Sequence, residues 1–100
     1  PAGCPPIDPA AIDRLVTTRR PLHVAAAPVI DAAAAAIGAR VAGLIRDGDC
    51  IQTGIGGIPA AILARLEQHN DLGLHGGLID DGGMRLIARG NVNGARKAID

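Results

Sequence analysis

One hundred residues suit one domain or a part of one, and a chain this small removes only about two-thirds of its unfolded surface from water when it folds. Ten Lys and Arg balance ten Asp and Glu, and there is no Phe, Trp or Tyr. Neither a net field nor a stacking side chain therefore favours nucleic acid. The apolar stretches are broken by Asp31, Arg40 and Arg46, and no charged region followed by a hydrophobic segment opens the chain, so these residues hold no membrane span or signal peptide.

Core material is thin. Hydrophobic residues make up 48%, but 19 of them are alanine, and the large side chains are almost all Ile, Leu and Val. Aromatic rings bury the most area per residue, so their absence weakens an isolated core. With no Met at its start and no closing element at its end, the chain reads as a segment of a longer protein. Cys4 and Cys50 stand far apart without Cys/His ligand spacing, which gives neither a metal site nor a disulfide framework. A reducing, cytoplasmic setting follows as the default.

Residues 1–9 carry four prolines and a glycine, a composition that resists helix and ladder alike. Residues 1–28 are assigned as a connecting segment, with room for a short helix between Pro9 and Thr17. Arg19 and Arg20 read as solvated or salt-bridged surface, and His23, in a small apolar strip, as a structural histidine.

Residues 29–100 are assigned as a partial α/β domain. From Val29 to Arg46 the pattern is helical: Ile30, Ile37, Val41, Leu44 and Ile45 stack on one face, and the alanines from 32 to 36 are strong helix formers. Gly38 and Gly43 weaken the helix, which predicts close packing against a sheet, and Asp47-Gly48 is placed to end it. Cys50 to Ile55 predicts a short apolar strand of the type covered on both faces. Pro59 then fits a first helical turn, and Ile58, Ile62, Leu63 and Leu66 repeat at helical spacing over about three turns. Leu72 to His75 predicts a second strand. Strand, helix and strand make a βαβ unit in a mostly parallel sheet, with connections of about two to six residues.

In such sheets ligands bind beyond the carboxyl ends of the strands. Two glycine clusters fall there, Gly54, Gly56 and Gly57 after the first strand and Gly76 and Gly77 after the second, with His75 at the mouth. Asp80 or Asp81 is placed to cap a further short helix that Gly90 closes, and Asn93-Gly94 predicts a turn before a last strand. The loop at 54–59 is no dinucleotide fingerprint, because Pro59 stands where the third glycine belongs. It is no Walker A loop either, for want of Lys and a following hydroxyl.

Residues 37–59, IGARVAGLIRDGDCIQTGIGGIP, followed by AAILARLEQHNDLGLH and by Asp81-Gly82, resemble the acetyl-CoA hydrolase/transferase family, including 4-hydroxybutyrate CoA-transferases. The likeness runs from about Asp13 to Lys97. It implies a CoA-transferase fold built from two related domains, of which this chain is a middle piece. It also implies a homo-oligomer that moves CoA between an acyl-CoA and a small carboxylic acid, with CoA as substrate and no permanently bound cofactor. In that chemistry a glutamate attacks the acyl-CoA and becomes a glutamyl thioester, while backbone N–H groups of glycine loops stabilise the oxyanions. Gln52, Gly54, Ile55, Gly56 and Gly57 match the oxyanion and CoA-contacting loop. The alternative for these glycines is a tight turn that only lets helix approach strand.

The glutamate itself is absent. Aligned on His75 and on Asp81-Gly82, its position is Gly77, and glycine is no nucleophile. Asp80 and Asp81 lie three and four residues on, too far to inherit a role in which a misplacement of about 1 Å can already cost a hundredfold. His75 and Asp80 remain candidates for a base acting on water. Two outcomes of the resemblance stand side by side: a CoA-transferase or acyl-CoA hydrolase with a carboxylate from elsewhere, and a catalytically altered member that binds acyl-CoA or a partner subunit. An unrelated α/β ligand-binding domain ranks below both.

Overall fold

Asp31 starts the first long helix by accepting a hydrogen bond from the backbone N–H of Ala34 at 2.7 Å, and the alanines that follow lose no side-chain entropy in a helix. In the computed structural model, which describes residues 5–97, this helix is α1, Ala32–Ala42. After it come β1 (Cys50–Ile51), α2 (Gly57–Leu63), β2 (Gly73–Leu74) and α3 (Asp81–Ala88). β1 and β2 pair in parallel, Cys50 with Gly73 and Ile51 with Leu74. Val92 adds a parallel bridge to Leu72 on the far side of β2. The α/β class and the βαβ unit are as the sequence implies.

Before α1 the described residues are exposed, and their regular structure is one 3-10 turn, Pro9–Ala11, capped by Asp8. Arg19 and Arg20 are surface residues there. His23 is exposed too, so it is not the satisfied structural histidine its apolar neighbours imply. Cys4 lies outside the described residues.

α1 departs from expectation in three ways. It ends at Ala42 and not near Arg46, because Gly43 caps it and the chain then tightens into turns, with Leu44 N–H donating to Val41 and Ile45 N–H to Ala42. Its buried face is Ala34, Gly38 and Ala42, not the large aliphatics: Ile37 is 41% and Leu44 78% exposed. Finally, Gly38 packs on a helix and not on the sheet. A Cβ built on Gly38 would lie 2.8 Å from the Cβ of Ala61 in α2. Only the small-residue stripe, at positions i, i+4 and i+8, lets the two backbones come that close.

β1, α2 and β2 are shorter than predicted. β1 keeps two residues, one exposed and one half-buried, so it is not covered on both faces. α2 stops at Leu63, where Arg65 and Leu66 turn to i→i+3 bonding with Ile62 and Leu63. That tighter winding swings Leu66 fully into the core and lengthens the return connection to residues 64–72, beyond the expected range. The core gathers Ala42, Leu63, Leu66, Leu72, Leu86 and Val92, with Ile45, Ile51, Ile62 and Leu74 against it. Among the described residues no helix is long and apolar enough to cross a membrane.

Polar clasps hold the connections at the edge of the pair where β1 and β2 begin. Asp47 accepts from the backbone N–H of Asn70 at 2.9 Å and from its side-chain amide at 3.2 Å. These bonds, first the backbone one, hold the Asp47 carboxyl below the ordinary aspartate range against an opposing desolvation, with smaller contributions from the charges of His69 and Arg96. Asn91 is buried and donates to the carbonyls of Glu67 at 3.0 Å and His69 at 2.7 Å. His69 bonds through Nε2 to the carbonyl of Ile45 at 3.1 Å. It ties the connection after α2 to the segment after α1.

Candidate functional site at the carboxyl edge of the parallel pair

Parallel strands end on the same side, so the segments after β1 and β2 emerge together. The last ladder bond, from His75 N–H to Ile51 at 2.9 Å, marks that edge. Beyond it residues 52–56 turn into α2, and residues 75–80 into α3. The two turns touch: a Cβ on Gly76 would lie 3.8 Å from the Thr53 carbonyl oxygen and 4.0 Å from Gln52 Cγ. The structure thus places the Gly76 turn against Gln52 and Thr53, immediately ahead of the first predicted glycine cluster.

Within the first turn the glycines differ in what they do. Gly56, at φ 120° and ψ −173°, is the N-cap of α2 and adopts a backbone conformation that L side chains rarely take. Gly57 is bare for packing: a Cβ there would collide with the Val29 carbonyl oxygen, so this glycine seats the chain that leads into α1. Gly54 meets neither demand. Its φ is not positive and nothing lies within 4 Å of its Cβ position. Gln52 and Ile55 are exposed, Ile55 at 72%. Pro59 falls in the first turn of α2, where its lack of an N–H removes no helical bond.

Gly77 in the second turn has the same character as Gly54, with no positive φ and open space at its Cβ position. A side chain at residue 77 therefore has room. His75 is exposed, its backbone pinned by the ladder bond. Asp80 is the N-cap of α3, and its Oδ1 accepts from Gly83 N–H at 2.8 Å. Asp81 occupies the first turn, and Gly90, at φ 83°, closes the helix with an N–H bond to Ile87 at 3.0 Å. α3 starts tight against its neighbours, since a Cβ on Gly82 would fall 3.0 Å from Leu63 Cβ and one on Gly83 3.3 Å from Leu74.

Sequence reasoning did not single out Thr53, the half-buried residue whose carbonyl faces the second turn; a threonine ahead of a glycine run carries no signal for that role. The groove between α1 and α2, ≈ 350 Å³ and lined by Ile30, Ala35, Ala61, Ala64 and Arg65, contains none of these residues.

No protein-family model matches the chain. Individual proteins do. The chain is 39% identical over 88 residues to the 4-hydroxybutyrate coenzyme A transferase of Clostridium kluyveri, a match spanning 88% of this chain and 20% of that protein. It is 37% identical over 86 residues to the succinyl-CoA:cyclohexane-1-carboxylate CoA transferase of Geobacter metallireducens, across 86% of this chain and 20% of the relative. Among solved structures, RipA from Yersinia pestis superposes with a TM-score of 0.76 at 32% identity, over 82% of this chain and 19% of RipA. The 4-hydroxybutyrate CoA-transferase of Porphyromonas gingivalis superposes with a TM-score of 0.64 at 45% identity, over 74% of this chain and 19% of that structure. The chain spans about one fifth of the length of the curated relatives it matches. By sequence along most of its length, and by the α/β unit those residues form, the chain belongs to the CoA transferases related to 4-hydroxybutyrate CoA-transferase.

Proposed function

We propose that the protein carrying this chain moves CoA between an acyl-CoA and a small carboxylic acid, and that the turns at 52–57 and 75–80 form part of the surface that receives the thioester. One observation carries the assignment of the site. Gly54 and Gly77 lack side chains although neither backbone geometry nor packing asks for glycine there. Backbone open to close approach is what a ligand needs, and N–H groups fixed in a turn stabilise a developing oxyanion without reorganising. CoA is a substrate in this reading and not a resident cofactor. The working form is a cytoplasmic homo-oligomer, and acyl-CoA hydrolysis is the companion activity when water replaces the acceptor acid.

A second reading is favoured by residue 77 itself. The resemblance puts the covalent glutamate there, this chain has glycine, and the nearby Asp80 carboxylate is held by the α3 cap. A protein that keeps the crevice but has no other carboxylate binds acyl-CoA without exchanging it. Labelled CoA exchange between an acyl-CoA and acetate separates the two. Exchange by the full-length protein, with hydroxylamine inactivation only after acyl-CoA is added, supports the transferase. Acyl-CoA binding without exchange supports the altered member, and failure to bind acyl-CoA rejects both.

A further inference from the structure

The turn after Val92 is chemically distinctive and plays no part in the site above. Asn93 is exposed and precedes Gly94, which has φ 69° and nothing within 4 Å of its Cβ position. An asparagine amide is among the thermally labile side chains, and a following glycine leaves the neighbouring backbone nitrogen unshielded. We propose that Asn93 is a self-modification site: its amide converts to a carboxylate through attack by the Gly94 backbone nitrogen, at a rate set by opening of the latch that holds this turn on Asp71 and Leu72.

The step balances without any oxidant or cofactor. The Gly94 nitrogen loses its proton and bonds to Asn93 Cγ, and the side-chain nitrogen leaves as ammonia. Water then opens the resulting succinimide at either carbonyl, giving aspartate or its β-linked isomer. In the closed structure each participant is engaged. Gly94 N–H donates to the Leu72 carbonyl at 3.2 Å, and Asn93 N–H donates to the same oxygen at 3.1 Å. Asn93 Nδ2 donates to Asp71 Oδ1 at 2.7 Å, and Asn93 Oδ1 accepts from Ala95 N–H at 2.9 Å. Attack therefore waits for local opening.

The product cannot remake the latch. A carboxylate at residue 93 would face the Asp71 carboxylate across the former amide contact, exchanging a donor for a like charge. The β-linked isomer also adds a backbone carbon just after the Val92 bridge to Leu72. The other asparagines differ: Asn70 precedes Asp71, and Asn91 is buried, with its amide on two carbonyls ahead of Val92.

The test is to age the purified full-length protein at mildly alkaline pH, folded and in urea, and to map the tryptic peptides covering residues 66–85 and 90–96. Amide-to-acid conversion should appear at Asn93 ahead of Asn70 and Asn91, and run roughly tenfold or more faster in urea. Asn93→Asp should lower the melting temperature by about 2–4 °C, and adding Asp71→Asn should restore it by recreating the amide–carboxylate pair with roles exchanged. Equal rates folded and unfolded, earlier conversion elsewhere, or no restoration by Asp71→Asn would overturn the proposal.

Discussion

The Cβ position of Gly38 in α1 lies 2.8 Å from the Cβ of Ala61 in α2, and equally close to the Ala61 backbone carbon. The helices meet there with no space for a methyl group. Gly38→Ala gains about 0.8–1.0 kcal/mol of helix propensity. It also forces apart a backbone contact, and overpacking of a buried site costs typically 1–3 kcal/mol. The expected result is a net loss of up to about 2 kcal/mol, read by thermal or urea unfolding. Gly43→Ala is the control. Its Cβ position is 3.5 Å from the nearest carbonyl and its backbone is helical, so this variant should be neutral or stabilising by up to about 1 kcal/mol. Equal effects of the two variants would refute close packing as the role of Gly38.

Glycines at the candidate site should separate by cause. Gly56→Ala places a Cβ at φ 120° and is expected to destabilise by about 1–3 kcal/mol. Gly77→Glu, at an ordinary φ with open space, should leave the unfolding midpoint within the usual surface range of about ±0.5 kcal/mol. In the full-length protein Gly77→Glu should preserve acyl-CoA binding and raise CoA exchange. Lost binding would show that the crevice is shaped for a different ligand.

Asp80 offers a division between cap and base. Removing the cap with Asp80→Ala should cost about 0.5–2 kcal/mol, while Asp80→Asn, a comparable N-cap, should fold nearly as well. A carboxylate spent on Gly83 N–H is poorly placed to take a proton from water. Any exchange or hydrolysis by the full-length protein is therefore expected to survive Asp80→Asn. A loss of about a hundredfold with stability intact would make Asp80 a general base.

The Asp47–Asn70 clasp predicts an acid dependence with a definite sign. Because the folded-state carboxyl sits below its ordinary value, the clasp contributes stability fully above the unfolded value, about 3.9, and loses it as pH falls through the folded value. Melting temperatures of the parent and of Asp47→Ala should differ at neutral pH and converge in acid. A constant gap across that range would show that the ionised carboxylate is not what Asn70 recognises.

Much of this organisation was legible in the chain. Asp80 as a cap, Gly90 as a closing residue, and a parallel βαβ unit with glycine turns at one edge all follow from local chemistry that tertiary contacts reinforce. The buried face of α1 was not legible. Ile37, Val41 and Leu44 carry the hydrophobic period, but the neighbouring stripe of Ala34, Gly38 and Ala42 wins because closeness to Ala61 depends on size and not on apolarity. Strand length differs for a related reason: Ile55 extends the apolar pattern of Cys50-Ile51 past Gln52 and Thr53, whereas pairing stops once the chain bends toward Gly56. At the site, the sequence shows glycines but not their cause. Gly57 is accounted for by the Val29 carbonyl, and that contact joins residues separated by the whole of α1 and β1.

That division among the glycines has an evolutionary reading. A library of variants screened only for folded protein should be depleted of changes at Gly38, Gly56 and Gly57 and remain diverse at Gly54 and Gly77. The same library screened for acyl-CoA turnover should close at Gly54 as well. At residue 77, by contrast, the proposed thioester surface predicts that it should admit an acidic residue.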